Sequence, residues 1–454
     1  MLVLLIEMRK VMYRSTNNES EPVSFKEALL RGQAPDKGLY MPTILPKISI
    51  DVINEMKNMS YPDIASTVMS EFIPEIPSGE FKRMIQETYD FDVPIERVHE
   101  RKYIMRLDRG PTASFKDLAA RMMANLIKYY IEGEDRRMVI LTATSGDTGS
   151  AVAHAFSGLC NIDVVVLFPE REITELQRKQ MTTLGNNVIA IAVDGKFDDC
   201  QDMVKQAFVD NELKYINLSS ANSINIGRLL PQMIQYFYAH SRLSEHDEKI
   251  VFSVPCGNLG HLTAGVLAKS MGLPVHKFVV ATNENDEFLK FLETGRYMPI
   301  RPSRICISNA MNVGHPSNLA RLINLYGGWM DENGNIHRMP DLELMRKDMF
   351  SVSITDDETI SAIRNVYEKY GIILEPHGAV AWAGLSRYLK KEEWNPCVSF
   401  ETAHPAKFPE EIKRLIGIDP ELPTSMVGLR DKKEQFEYID ANYKSFKRLL
   451  KDRF

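Results

Sequence analysis

The 454-residue chain is poor in cysteine, and its five cysteines are scattered. Cys160, Cys200, Cys256, Cys306 and Cys397 never come within four residues of one another, which excludes zinc-binding and thioredoxin-like spacings. No metal is expected, and isolated thiols fit a reducing compartment. No apolar run reaches membrane-spanning length. The apolar opening from Met1 to Ile6 stops at Glu7, with no basic residue before it and no cleavage site after it. A signal peptide and a membrane partner are therefore not expected, and the protein is expected in the cytoplasm. Net charge is −6 with the signs interspersed, so a nucleic-acid partner is not expected. There is no internal repeat, no GxGxxG and no Walker lysine, which argues against a plain nucleotide-binding Rossmann protein.

What is present is an ordinary globular balance, 44% apolar and 26% charged, in a chain long enough for two or three domains. From Met138 onward short β-rich runs alternate with helical ones. MVILTAT, DVVVLF, VIAIAV, YINLSS, KIVFSV and KFVVAT read as strands, and the stretches between them read as helices. That alternation predicts βαβ units and parallel sheet, hence an α/β fold. The first hundred residues, rich in proline and in helical stretches such as SFKEALLRG and SGEFKRMIQETYD, are expected to form a separate α-rich domain. Residues 326–340 read as an exposed insertion loop. Beyond Pro420 the chain reads as a charged, helical packing arm.

In open α/β sheets, chemistry gathers in the loops after strand ends. Five such segments carry candidate residues. Ser253–Leu262 runs from a buried strand through Gly257, Asn258, Leu259 and Gly260 into a helix, the arrangement of an anion site built from free N–H groups; a tight βα turn without a ligand reads equally well. Thr144, Ser145, Asp147 and Thr148 join a strand to a helix and suit either a bound carboxylate or simple capping. In GPTASFKD, Lys116 opens an apolar helix, where the dipole disfavours its charge; a surface lysine is the plainer alternative. Ser219–Arg228 offers Asn222, Ser223 and Arg228, the last suited to clamping phosphate or carboxylate, or else a cap with a surface arginine. Glu401–Phe408 puts Thr402 and His404 after another strand, with His404 read as a packed or capping residue.

Taken in order, GPTASFKD, TATSGDTGSAVAHAF, SANSINIGRLL, ATNEND, EPHGAVA and TAHPAKF resemble the motifs of threonine synthases, within the tryptophan-synthase-β-like family of pyridoxal-phosphate (PLP) enzymes. The resemblance runs from about Met12 to Leu415. It implies two parallel-sheet α/β domains beside the α-rich one: 98–137 with 225–454 as the large PLP-binding domain, 138–224 as the small one, and 1–97 as the N-terminal domain. Residues 1–11 precede the family-like start at Met12 and read as an extension or a misassigned start.

The resemblance further implies Lys116 as the Schiff-base lysine and Gly257, Asn258, Leu259 and Gly260 as the cradle of the cofactor phosphate. Asp147 falls near the cofactor 3′-oxygen. Thr402 falls at the ring nitrogen, where a neutral hydroxyl leaves that nitrogen largely unprotonated. Thr144 and Ser145 would hold the substrate carboxylate, and Thr148, Asn222, Ser223 and Arg228 the substrate phosphate. Two positions depart from the pattern: Cys256, where serine is usual, and His261, where an acidic or amide residue is common.

The reaction implied is conversion of O-phospho-L-homoserine and water to L-threonine and phosphate by γ-elimination and β-addition, in a monomer or homodimer. A PLP phospho-lyase that releases phosphate and ammonia shares every motif. A non-catalytic protein sensing an amino-acid phosphate is the alternative of another class, and Lys116 with Thr402 argues against it.

Overall fold

Strand Ile162–Pro169 is buried at all eight positions and Met138–Ala143 at all six. Strands covered on both faces cannot alternate apolar with polar, which explains the continuous β-branched runs. The computed structural model describes residues 11–134, 137–245 and 248–454. The expected extension over 1–11 lies, Val11 apart, outside the described residues.

Two sheets carry the molecule. The smaller has five parallel strands in the order Glu437–Asp440, Val188–Asp194, Ile162–Pro169, Met138–Ala143, Leu218–Ser220. The larger has six, in the order Met349–Ser353, Val275–Thr282, Ile250–Pro255, Cys397–Glu401, Lys102–Arg106, Ile95–His99. Only the last pairing in it is antiparallel.

Three features depart from the pattern-based expectation. Glu437–Asp440 adds to the smaller sheet, and helix Tyr443–Arg453 buries Phe446 and Leu450 in that sheet's core. The chain after Pro420 thus completes the small body, although the expected division gave 225–454 to the large one. No local pattern reports which sheet edge a late strand will find. Second, helices Phe25–Arg31 and Ser78–Thr88 form as read, the first behind a Ser24–Glu27 capping box, and helix Tyr61–Ser70 stands between them. Their buried residues join a hydrophobic cluster that also holds Val164 and Phe252 of the two sheets, so this region shares its core with the rest. Third, residues 326–340 form a hairpin, Trp329–Met330 against Ile336–Arg338. Its turn is tied by Asp331, whose Oδ1 accepts from the N–H of Asn333 and Asn335, both at 2.9 Å; Tyr326 and Met330 are buried.

Five strands, drawn from both sheets, run so that their carboxyl ends open on one cleft. Loops after Arg106, Ala143, Ser220, Pro255 and Glu401 line a single cavity.

Candidate active site

Lys116 is the first residue of helix Lys116–Ile131, and the loop before it is tied down on the loop after Glu401. Phe115 N–H donates to Thr402 O at 2.8 Å and His404 N–H to Ala113 O at 3.0 Å. Asp117, buried, braces the same loop by accepting from Thr112 N–H at 2.8 Å and Thr112 Oγ1 at 2.7 Å. The Lys116 side chain is 15% exposed and its Nζ stands 3.8 Å from Asp147 Oδ2. Burial lowers its pKa; Asp147 opposes that, while Lys407 and Arg228 add to it. A buried amine beside two cations spends more time neutral, as a nucleophile requires.

Asp147 begins helix Asp147–Phe156. Its Oδ1 meets Lys407 Nζ at 2.6 Å and accepts from Gln177 Nε2 at 2.9 Å. Lys407 is fully buried and also donates to Thr112 O at 2.9 Å. Burial alone would raise the Asp147 carboxyl, but Lys407 and then Lys116 outweigh it and hold it below the usual carboxylate range. The pair joins the two sheets: Asp147 follows a strand of the smaller, Lys407 a strand of the larger.

The Gly257–Gly260 segment has the form expected of an anion cradle. Leu259 adopts φ +58 as the N-cap of helix Gly260–Met271. The N–H groups of Gly257, Asn258, Leu259 and Gly260 find no acceptor among the described residues. A Cβ at Gly257 would lie 2.9 Å from Met311 Cα, so this position accepts only glycine without a backbone shift. Asn258 holds the loop: its Nδ2 donates to Ser223 Oγ at 2.6 Å, and its Oδ1 accepts from Ser317 N–H at 2.6 Å.

Asn222, Ser223 and Arg228 face the same cavity. Asn222 Nδ2 donates to Ala143 O at 2.8 Å. Arg228 is 3% exposed and donates through Nη1 to Ala221 O at 2.7 Å; no carboxylate pairs with it among the described residues, and its Nε has no partner. Burial pulls its pKa down to about 10. A guanidinium buried without a counter-ion is costly unless an anion arrives.

Ser145, Asp147, Thr148 and Thr402 also line the cavity, whereas Thr144 does not. Thr144 is fully buried, and its Oγ1 accepts from Gly146 N–H at 2.9 Å and Gly149 N–H at 2.8 Å. It braces the turn from behind the wall, the capping role that a hydroxyl at this position also allows. His404 likewise caps, accepting from Ala406 N–H at 3.2 Å.

Cys256 and His261 are both buried in the cavity wall. Burial pushes the Cys256 thiol up and His261 down to about 3. His261 packs as a neutral ring against Phe400, Tyr236 and Phe115, with centroids 4.5, 5.0 and 5.4 Å away. Neither departure alters the charge of the cradle.

Four contributors escaped the pattern reading. Lys407, Glu375 and His377 lie inside quoted motifs, but nothing local distinguishes them from caps or surface groups. Arg321, fully buried, donates to Ser223 O at 3.0 Å, Ile224 O at 2.6 Å and Asn318 Oδ1 at 2.8 Å, shaping the Ser223 loop from helix Leu319–Leu325. It lies in no motif.

Residues 12–89 match the family described as "Threonine synthase N terminus", residues 93–399 "Pyridoxal-phosphate dependent enzyme", and residues 378–450 "Threonine synthase, C-terminal". The threonine synthase of Escherichia coli K12 is 39% identical over 436 residues, covering 95% of this chain and 97% of its own length. That of Haemophilus influenzae is 40% identical over 411 residues, covering 89% and 91%. The crystal structure of the Escherichia coli threonine synthase superimposes with a TM-score of 0.88 at 36% identity, covering 98% of this chain and 100% of its own. The PLP-bound threonine synthase of Brucella melitensis also gives 0.88, at 34% identity with 97% and 99% covered.

Proposed function

The chain belongs to the threonine synthases, pyridoxal-phosphate-dependent enzymes, and from that premise we propose that it converts O-phospho-L-homoserine and water to L-threonine and phosphate in the cavity between its sheets. When bound, the cofactor supplies an electron sink for charge developed on the amino-acid carbon. Lys116 would anchor it and, once displaced by the substrate amine, carry protons at the substrate's α- and β-carbons. The four unbonded amides from Gly257 to Gly260 fit the cofactor phosphate, Thr402 the ring nitrogen, and Asp147 the neighbourhood of the ring oxygen. Lys407 keeps Asp147 ionised and so away from the Lys116 proton. Ser145, at the start of helix Asp147–Phe156, would receive the substrate carboxylate.

The observation that carries the choice of a phosphorylated substrate is Arg228. The cofactor phosphate already has the glycine loop, yet a second, uncompensated cation is buried across the cavity. Thr148, Asn222 and Ser223 stand with it in the wall and would complete a second anion site. No helix among the described residues is long and apolar enough to cross a membrane, and all five thiols are free, which supports a place in the reducing cytoplasm. The test is incubation of the cofactor-loaded protein with O-phospho-L-homoserine. Threonine and phosphate in equal amounts are expected; ammonia with phosphate and no threonine would point to a phospho-lyase, and no turnover to a binding protein.

A further inference from the structure

Arg321 is fully buried, and among the described residues its guanidinium meets only neutral acceptors. Nε donates to Tyr40 O at 3.2 Å and Nη2 to Ile224 O at 2.6 Å. Nη1 donates to Ser223 O at 3.0 Å and to Asn318 Oδ1 at 2.8 Å. A guanidinium can only donate, so it decides which way the Asn318 amide lies. Oδ1 faces Arg321, and Nδ2 faces away, where it donates to Ser223 Oγ at 3.3 Å. Asn258 is oriented by the same logic. Its Oδ1 accepts from Ser317 N–H at 2.6 Å, and its Nδ2 donates to Ser223 Oγ at 2.6 Å.

A serine hydroxyl has two lone pairs and one proton. The two amides take both lone pairs of Ser223 Oγ, and its proton has no acceptor among the described residues. Ser223 lines the cavity with Thr148, Asn222 and Arg228, whereas Asn318 and Arg321 stand behind that wall. We propose that Arg321 and Asn318 are positioning residues that make Ser223 a hydrogen-bond donor to the substrate phosphate. The chain runs from the Arg321 guanidinium to Asn318 Oδ1, from Asn318 N–H to Ser223 Oγ, and from Ser223 O–H to a phosphate oxygen. An unguided hydroxyl rotates, and presents lone pairs to an anion as readily as its proton. Here the rotation is settled before the anion arrives, by a group that never touches it. The inference rests on the proposed reading that a substrate phosphate binds beside Arg228.

Replacing a fully buried arginine risks the fold, so the test turns on Asn318→Asp. The carboxylate has the shape of the amide, keeps one oxygen on Arg321 and gives that residue a counter-ion. It also puts an oxygen where Nδ2 stood, so the Ser223 proton turns to it and away from the cavity. The cofactor-loaded full chain is assayed on O-phospho-L-homoserine. Ser223→Ala and Asn318→Asp should each lower kcat/KM by about ten- to a hundredfold, the worth of one hydrogen bond to a charged group. Cofactor absorbance should match the wild type in both. The double variant separates proton direction from charge. If Asn318 acts through Ser223, adding Asn318→Asp to Ser223→Ala costs nothing further. Losses that multiply would show the new carboxylate repelling the phosphate directly, and would overturn the proposal. Wild-type kcat/KM in Asn318→Asp beside an impaired Ser223→Ala would overturn it too, leaving the phosphate site standing. Loss of cofactor absorbance in Asn318→Asp would make the pair a scaffold of the glycine loop and refute the positioning role. An unimpaired Ser223→Ala would remove Ser223 from the phosphate site, and the proposal with it.

Discussion

The two walls of the cavity are built on different principles. Apart from Lys116, the larger sheet lines it with neutral groups: the amides of Gly257–Gly260, the Thr402 hydroxyl, and the His377 ring. The smaller sheet lines it with charge, Asp147 and Arg228, flanked by Ser145 and Thr148. Aligned backbone dipoles bind an anion with little desolvation cost and no dependence on side-chain protonation. A buried charge is expensive until it is paired. Asp147 is paired within the protein, by Lys407; Arg228 has no carboxylate partner among the described residues. The neutral wall thus suits a group that stays, and the charged wall one that must enter, be recognised and leave. Disturbing the charged wall should accordingly have the greater effect.

Lys116 lies between the walls, and its loss should weigh most. Lys116→Ala is expected to lower turnover by about 10²–10⁴-fold or more and to abolish borohydride trapping of the cofactor. Trapping at another lysine would break the assignment.

Lys407→Met removes the partner of a fully buried carboxylate and should cost about 3–5 kcal/mol of stability, read as a lowered Tm of the cofactor-free protein. The sign with pH is specific. In the wild type Asp147 lies below its unfolded pKa of about 3.9. The pair therefore stabilises above that pH and loses its contribution as pH falls through the depressed value. Without Lys407 the nearest lysine left is Lys116, at 3.8 Å, and the carboxyl moves up. The Tm gap between variant and wild type should be widest near neutral pH and narrow on acidification; a constant gap would refute the pairing.

Arg228→Ala should leave the cofactor bound and cut kcat/KM on O-phospho-L-homoserine by roughly two to three decades, from about 2–5 kcal/mol for a buried charge-assisted contact. Equal losses on an unphosphorylated analogue would make Arg228 structural. Loss of the cofactor would mean the two anion sites are reversed.

The neutral wall should respond by shape, and less. Gly257→Ala drives a Cβ to 2.9 Å from Met311 Cα and should weaken cofactor affinity by about 1–3 kcal/mol. Gly260→Ala meets nothing nearer than Asn318 Nδ2, at 3.4 Å, and should be nearly silent, whereas Gly260→Asp adds a negative charge beside an anion and should not. Spectrophotometric titration of the cofactor distinguishes the three. Equal losses in both alanine variants would show that the cradle lies elsewhere.

Legibility followed the range of the interaction. The strand–loop–helix units from Met138 to Met271 were readable because hydrophobic period and turn residues are local signals; helix Gly260–Met271 and its glycine loop lie where the pattern puts them. Lys116, Asp147, Asn222, Ser223, Arg228 and Thr402 were candidates because each stands after a strand end, and the cavity holds all six. Thr144 was open to two readings because a hydroxyl at a helix start looks the same in sequence whether it caps inward or binds outward. Strand Glu437–Asp440 was missed because its four residues, two half-buried and two exposed, offer no buried apolar run to mark them.

By itself the sequence determined the α/β class and the positions of the strand-end loops, since these depend on neighbours within about one turn or strand. Tertiary structure alone decided what each polar group faces. It brought Lys407 to Asp147 across 260 positions of chain, the difference of their numbers, and set Glu375 behind Thr402. It also buried Arg228 with no counter-ion among the described residues. The physical reason is that a side chain's charge state and donor direction depend on burial and on partners within a few ångströms, and those partners come from strands far apart in the sequence.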